Sequence, residues 1–237
     1  MGFVIATVLA FAFLEPPWRW LAIAAAAAWE ALDHYSLLTP YLPEWDRVRS
    51  RPQRNAFHRY TVDRHLLAAV VEASRLTRSV ERPDLLLLGA LLHDIGKGYP
   101  GDHTDAGVEV LGPMCRHMGV TEADIAVLTT LVREHLLLAS TATGRDLEDP
   151  TTVALVAERL RDVEVLDLLA ALTEADSLAT GATAWSRWKA ELLGVLVART
   201  RAVLEGAGVH DVVEAPLPVG PDVIARAAAG AVVVPDG

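Results

Sequence analysis

The amino-acid sequence predicts an all-α fold, and three of its features lead to that prediction. Apolar residues recur at helical spacing along most of the 237 residues, whereas the alternating pattern typical of strands is rare. Proline, glycine and aspartate separate these apolar segments at short intervals, as expected where one helix ends and the next begins. The composition, with 52% hydrophobic and 22% charged residues, is that of an ordinary globular protein.

Four helices are predicted in the first half of the chain. Residues 18–35 are rich in alanine and carry charged side chains, which is typical of a packed helix. Residues 39–57 contain three prolines and are expected to form an irregular connector. Residues 61–78 place apolar side chains on one helical face. Residues 84–94 are nearly all apolar and should lie at the centre of the fold, and residues 104–118 form the next helix.

Four more helices are predicted in the second half. Residues 121–138 begin with Thr121, a good N-cap, followed by acidic residues in the first turn. Residues 150–161 begin with a proline at an early position, where helices tolerate it. Helices over 163–180 and 184–204 complete the set. After Glu205 the chain becomes rich in glycine and proline, which predicts an irregular tail or a linker over 206–237.

Two bulk properties exclude classes of function. The formal net charge of −10 argues against a nucleic-acid polymer as partner. A single cysteine, Cys115, excludes an internal disulfide and a cysteine-based zinc cluster, and is best interpreted as a packed side chain.

The apolar N-terminus does not have the features of a membrane anchor. Residues 1–14 lack the positive flank of a signal peptide. Glu15 and two prolines end this stretch well short of the ~20 residues that a membrane helix needs. We therefore expect no membrane association and a cytoplasmic location.

The buried-looking segment over 85–92 ends on His93 and Asp94. Burying either side chain without a partner costs several kcal/mol, so other groups must compensate. Further histidines and an aspartate occur in or beside apolar helices, namely His65, His103, His135 and Asp176. Imidazole and carboxylate together suit a divalent transition metal such as Mn, Fe, Co or Zn. We therefore predict a metal site, because a metal would balance the buried charge.

Each of these residues also has a purely structural interpretation. A lone histidine on a helix is usually a packed or surface side chain, and Asp176 could cap the turn at Ser177. A second pair, His210 and Asp211, lies in the tail without an apolar helix before it, and we interpret it as structural.

The order of histidine, His-Asp and a distant aspartate resembles the HD superfamily of metal-dependent phosphohydrolases. Four blocks, within 51–67, 86–107, 131–150 and 168–193, are more specifically similar to the HD domain of the bifunctional uridylyltransferase/uridylyl-removing enzymes. This similarity covers about residues 42–205 and implies an HD-type helical bundle. The predicted organisation is then a helical extension with connector over 1–50, an HD domain over 51–205 and a tail over 206–237.

The resemblance also implies roles for individual residues. His65, His93, Asp94 and Asp176 match the family's metal ligands, and His103 and His135 resemble the additional histidines of two-metal members. One or two divalent ions are implied, with Mg as a further possibility. Asp94 and Lys97 would be catalytic, and Lys97 would face the phosphate. The side chains expected to contact the substrate are Arg54, His58, Arg59 and Lys97. A solvated surface position is equally consistent with His58, Arg59 and Lys97, and it fits Arg54 better.

The implied reaction is hydrolysis of the phosphodiester between UMP, or AMP, and a tyrosine of the PII nitrogen-regulatory protein. We find neither the glycine-serine loop of the family's nucleotidyltransferase half nor its C-terminal regulatory domains, so uridylylation is not expected from these residues. Two alternatives remain open. One is an HD phosphohydrolase for a free nucleotide or cyclic dinucleotide, and the other is a non-catalytic HD-type sensor.

Overall fold

The computed structural model describes residues 18–53, 60–181 and 183–214, and within them the chain is helical without strands. Single turns of 3-10 helix at Pro43–Arg47, Thr77–Ser79 and Ile95–Gly98 join some of the helices. In chain order the α-helices are α1 (Trp18–His34), α2 (Val62–Ala73), α3 (Pro83–Leu92), α4 (His103–Met118), α5 (Glu122–Glu134), α6 (Leu137–Gly144), α7 (Pro150–Leu160), α8 (Val163–Thr180), α9 (Arg187–Leu204) and α10 (Val209–Glu214).

Helix α3 lies at the centre of the bundle. Its residues from Leu85 to Leu92 are all buried, because α2, α5 and α8 cover it on different sides. A helix enclosed in this way has no polar face, which explains why its sequence is apolar all round. The central position of this segment, expected from sequence, is confirmed.

The all-α prediction is confirmed, but two of the predicted helices end earlier than expected. The helix predicted over 61–78 stops at Ala73. Beyond that point the hydroxyls of Ser74 and Thr77 donate to the carbonyls of Val71 and Ser74 at 2.7 and 3.1 Å. Side chains that bond to nearby carbonyls compete with the helical backbone, and they favour a tighter turn here.

The second difference is the helix predicted over 121–138. The structure divides it into α5, which ends at Glu134, and α6, which begins at Leu137. His135 occupies the break, and its ring lies 2.7 Å from the carbonyl of Val132 through Nδ1. The break turns the His135 side chain into the interior, where it is 3% exposed as a residue.

The two ends of the described chain pack onto the bundle. At the N-terminal side, Trp29 of α1 meets Trp45 of the connector edge-to-face at a centroid distance of 5.2 Å. At the C-terminal side, the buried Arg199 of α9 donates to the carbonyls of Leu147 and Val213 at 2.6 and 3.2 Å. Part of the predicted irregular tail therefore forms the short helix α10, which is attached to α7 and α9.

Among the described residues, the stretch Glu122–Gly144 is long and apolar enough to be a membrane-span candidate by length and composition. In the fold this stretch comprises α5 and α6, separated at His135, and half of the apolar window is buried inside the bundle. The core helices of compact proteins meet the same criteria, and the burial of His135 fits that explanation.

Candidate metal centre

Six side chains with metal-binding atoms converge at one end of the central helix. His93 is the C-cap of α3 and Asp94 follows it directly, so the end of a buried helix places both in the interior. Both residues are at most 2% exposed. The other four side chains come from four further helices or helix ends: His65 on α2, His103 at the start of α4, His135 after α5 and Asp176 on α8.

The first group consists of His65, His93 and Asp176. The Nε2 atom of His65 lies 2.9 Å from Asp176 Oδ1 and 3.3 Å from His93 Nε2. The His93 Nε2 to Asp176 Oδ1 distance is 3.5 Å. Adjacent ligands of an ion bound at about 2.1 Å are separated by roughly 3.0–3.5 Å. These three atoms therefore have the spacing of a ligand set.

The second group consists of Asp94, His103 and His135, and Asp94 joins it to the first. Asp94 Oδ2 is 3.7 Å from His65 Nε2 and 3.5 Å from His93 Nε2. Asp94 Oδ1 is 3.9 Å from His103 Nε2 and 3.7 Å from His135 Nε2. One carboxylate thus presents one oxygen to each group. This is the arrangement that a ligand shared by two ions requires.

Backbone carbonyls orient two of the rings. His93 Nδ1 lies 3.0 Å from the carbonyl of Ala90, and His135 Nδ1 lies 2.7 Å from that of Val132. A carbonyl can only accept, so in each ring Nδ1 carries the hydrogen. In the neutral form this leaves the lone pair on Nε2, which points into the cluster and is available to a metal.

Burial and neighbouring charges shift the pKa of the two histidines His93 and His135 in opposite directions. Burial disfavours a charged His93, but the carboxylates of Asp94 and Asp176 outweigh it and raise the pKa of His93 to about 10. Burial also opposes ionisation of Asp94, yet His93, Lys97 and His135 hold the pKa of Asp94 well below its usual range. For His135, burial and the neighbouring His93 lower the pKa.

The residues present fit a divalent metal. In the described part of the chain, Asp94 Oδ1 is buried without a hydrogen-bond partner, although it faces His103 and His135. A buried carboxylate oxygen without a partner is costly, and an ion between the two groups would satisfy it. The donor set of imidazole nitrogens and carboxylate oxygens suits Mn, Fe, Co or Zn, so two neighbouring groups of three could each hold an ion.

The centre opens into a cavity of about 730 Å³. Lys97 lies on its wall, with Nζ 2.5 Å from Asp94 Oδ2 and 2.8 Å from Gln53 Oε1. The turn that carries Lys97 is close-packed. A β-carbon on Gly96 would collide with the backbone of His103 and Gly107, which explains a glycine two residues after Asp94.

Sequence reasoning missed several residues of the cavity wall. Arg51 and Gln53 belong to the connector, and Tyr99, Leu136 and Thr180 also line the cavity. Thr180 is one helical turn after Asp176, so its position could have been anticipated from helix geometry. The connector residues carry no such signal, because the course of a loop depends on the surface it packs against.

The predicted substrate-contacting residues Arg54, His58 and Arg59 lie outside the described residues. All the other predicted site residues, His65, His93, Asp94, Lys97, His103, His135 and Asp176, lie in or on the wall of the centre.

Comparison with known proteins shows the family. The HD-domain family model matches residues 62–181, which include all six residues of the centre. The chain belongs to the HD-domain family. Three curated relatives named bifunctional uridylyltransferase/uridylyl-removing enzyme are similar to this HD domain. The protein of Streptomyces coelicolor is 57% identical and that of Mycobacterium tuberculosis 51% identical, each over 178 residues and 75% of this chain. The protein of Azotobacter vinelandii is 36% identical over 188 residues, or 73% of this chain.

The match with these relatives is confined to part of their length. It spans 21% of the Streptomyces and Azotobacter proteins and 22% of the Mycobacterium protein. The chain thus spans about a fifth of the length of each relative. These matches establish the family, and the activity of the longer relatives is a separate question.

Proposed function

We propose that this HD domain is a metal-dependent phosphodiesterase that removes UMP, or AMP, from a modified tyrosine of the PII nitrogen-regulatory protein. The observation that carries the proposal is the shared position of Asp94, with one carboxylate oxygen directed at each of two potential ligand groups. The name of the similar proteins, uridylyl-removing enzyme, supports a uridylyl group as the group removed. The family resemblance of the four sequence blocks suggests PII as the protein that carries it. The proposal includes a cytoplasmic location, because the enzyme would have to meet PII inside the cell.

In this proposal the six clustered residues hold one or two divalent ions. The first group is His65, His93 and Asp176, and the second is Asp94, His103 and His135. Asp94 also faces the first group through Oδ2. When bound, such ions supply a water of lowered pKa and positive charge for the phosphoryl oxygens. The protein contributes rigid ligand geometry, since the rings of His93 and His135 are fixed by carbonyls.

Lys97 is proposed to stabilise the phosphoryl group beside the metal ligands. Its ammonium lies on the cavity wall beside Asp94, where it can donate to a non-bridging phosphoryl oxygen and stabilise charge that grows in the transition state. The leaving group is a tyrosine phenolate, whose conjugate acid has a pKa of about 10. Strong general-acid assistance is therefore unnecessary, which agrees with a site built from ligands and one ammonium.

The test is to incubate the chain with uridylylated and adenylylated PII and with Mn, Fe, Co, Zn or Mg in turn. We expect release of the nucleoside monophosphate. The decrease in the mass of PII, measured by mass spectrometry, reports this release. The Asp94→Asn variant is the matched control and should release none. Hydrolysis of a free nucleotide or cyclic dinucleotide, without release from PII under any metal, would favour the alternative HD phosphohydrolase. A chain that binds no metal would be a sensor module.

A further inference from the structure

Lys97 is held by two acceptors that belong to different parts of the chain. Its ammonium lies 2.5 Å from Asp94 Oδ2 and 2.8 Å from Oε1 of Gln53, a connector residue 44 positions earlier in the sequence. An ammonium has three N–H donors and no acceptor. Two of the donors are therefore used by Asp94 and Gln53, and the third remains for a group in the cavity that Lys97 lines.

We propose that Gln53 is a positioning residue. Its side-chain carbonyl fixes Lys97 so that the remaining N–H donor faces the cavity, where the proposed function places the phosphoryl group. The inference rests on that function, but it concerns a residue outside the HD-family match, which begins at Val62.

The hydrogen-bonding state of Gln53 supports this role. Because Lys97 can only donate, the amide must direct Oε1 at it, and Nε2 then points the other way. In the described part of the chain, Nε2 is buried without a partner. An unsatisfied buried donor costs about 1–3 kcal/mol, so an apolar side chain of similar shape would suit the stability of the fold better. The amide provides an acceptor for Lys97, which an apolar side chain would not.

The connector is anchored on the same turn that carries Lys97. Arg51 donates to the carbonyl of Gly98 at 3.3 Å, and the Arg47 guanidinium lies 5.4 Å from the centre of the Tyr99 ring. Gly98 itself packs so closely on Arg47 that a β-carbon there would collide with it. These contacts fix the connector against the turn, and they place Gln53 beside Lys97.

Loss of Gln53 would leave Asp94 as the acceptor that the structure records for Lys97. The ammonium would then be free to rotate about the end of its flexible side chain. The third donor would lose its fixed direction, while the ligand groups would be unchanged. The expected defect therefore lies in turnover, and metal binding should be retained.

A double-mutant cycle on the full chain tests this inference. The proteins are the parent, Gln53→Ala, Lys97→Met and the double variant, assayed with Mn²⁺ and bis(p-nitrophenyl) phosphate. We expect Gln53→Ala to lower kcat by about tenfold or more with less than about a threefold change in KM. In the Lys97→Met background the same change should alter kcat by less than about twofold, because the partner is already missing.

Two further variants separate hydrogen bonding from packing. Gln53→Met keeps the length of the side chain without its acceptor, and it should behave like Gln53→Ala. Asp46→Asn changes an exposed polar residue of the same connector and should retain the parental rate. Full activity of Gln53→Met, or equal losses in the presence and absence of Lys97, would show that Gln53 only supports the fold, and the inference would be wrong.

Calorimetry can measure the affinity of the four Mn²⁺-loaded proteins for inorganic phosphate. These affinities form the same double-mutant cycle and do not depend on turnover. If the parent cleaves no phosphodiester, the proposed function fails, and this binding cycle still decides the role of Gln53. Non-additive losses of phosphate affinity support the inference. Additive losses, or a parent that binds no phosphate, overturn it.

Discussion

The chain contains the dipeptide His-Asp twice, once in the buried interior and once on the exposed surface. His93 and Asp94 follow the central helix α3, and both are buried. His210 and Asp211 lie in the short helix α10 near the C-terminal end of the described chain, and both are exposed. The first pair meets four other metal-binding side chains, whereas in α10 the residue that packs into the protein is Val213.

The difference shows that the environment, and not the dipeptide, makes a site. Around His93 two carboxylates shift its pKa to about 10, and an oxygen of Asp94 is buried without a hydrogen bond in the described part of the chain. Solvent surrounds the second pair, where water satisfies both side chains and screens their charge. Substitutions in the second pair are therefore matched controls for the same substitutions in the first.

The largest effect is expected for Asp94→Asn against Asp211→Asn. The amide keeps the shape of Asp94 but loses the charge and one of the two oxygens that face the ligand groups. Phosphodiester hydrolysis should fall on the order of 10³-fold or more. Asp211→Asn should stay within about twofold of the parent in the same assay. Equal rates for the two variants would remove Asp94 from the mechanism.

The apolar residues before each pair should differ in their contribution to stability. Leu92, which precedes His93, is fully buried, and Leu92→Ala should lower the free energy of unfolding by about 2–5 kcal/mol. Val209, which precedes His210, is half-buried, and Val209→Ala should cost less than about 1 kcal/mol. Urea denaturation followed by circular dichroism measures both. A similar loss for both would mean that α3 is not the central support of the fold.

His93→Ala and His210→Ala test the metal site directly. Removing an imidazole from the first group should weaken Mn²⁺ or Zn²⁺ binding by more than about 100-fold, because outer partners of ligands alone are worth 10–100-fold. His210→Ala should bind metal as the parent does. Metal content after dialysis at a buffered ion concentration gives the comparison, and undiminished metal in His93→Ala would contradict the assigned ligand set.

A smaller effect is expected from pH. In the metal-free protein the pKa of His93 is about 10, so near neutral pH this ring carries a proton that an ion must displace. Metal affinity should therefore rise with pH, by up to about tenfold per unit, until pH approaches 10. Titrations at several pH values should show this slope in the parent and in His210→Ala. A pH-independent affinity would mean that no proton leaves when metal binds.

Much of the fold was predictable because it depends on local information. The apolar run over 85–92 predicted a central helix, and the N-cap Thr121 and the early proline Pro150 predicted two helix starts. Helices α3, α5 and α7 begin where expected. The break at His135 was not predicted, since the apolar pattern continues across it. Only the packing of the ring into the interior explains why the helix divides there.

The candidate site was predictable as a set of residue types but not as an arrangement. Imidazoles and carboxylates in apolar helices indicated a metal centre, because buried charge demands a partner. Which oxygen of Asp94 faces which group follows from how α2, α4, α5 and α8 are placed around α3. The contact between Gln53 and Lys97 likewise joins residues far apart in the sequence, and no local pattern marks it.

The sequence by itself determined the helical character of the chain, its buried central segment and the chemistry of the groups that end it. The tertiary structure decided which of the two His-Asp pairs is surrounded by partners and which connector residue meets the lysine. The physical reason is the separation in sequence between the residues that interact. Helix formation is governed by neighbours a few residues apart, whereas a ligand set depends on side chains from separate helices pointing at one place.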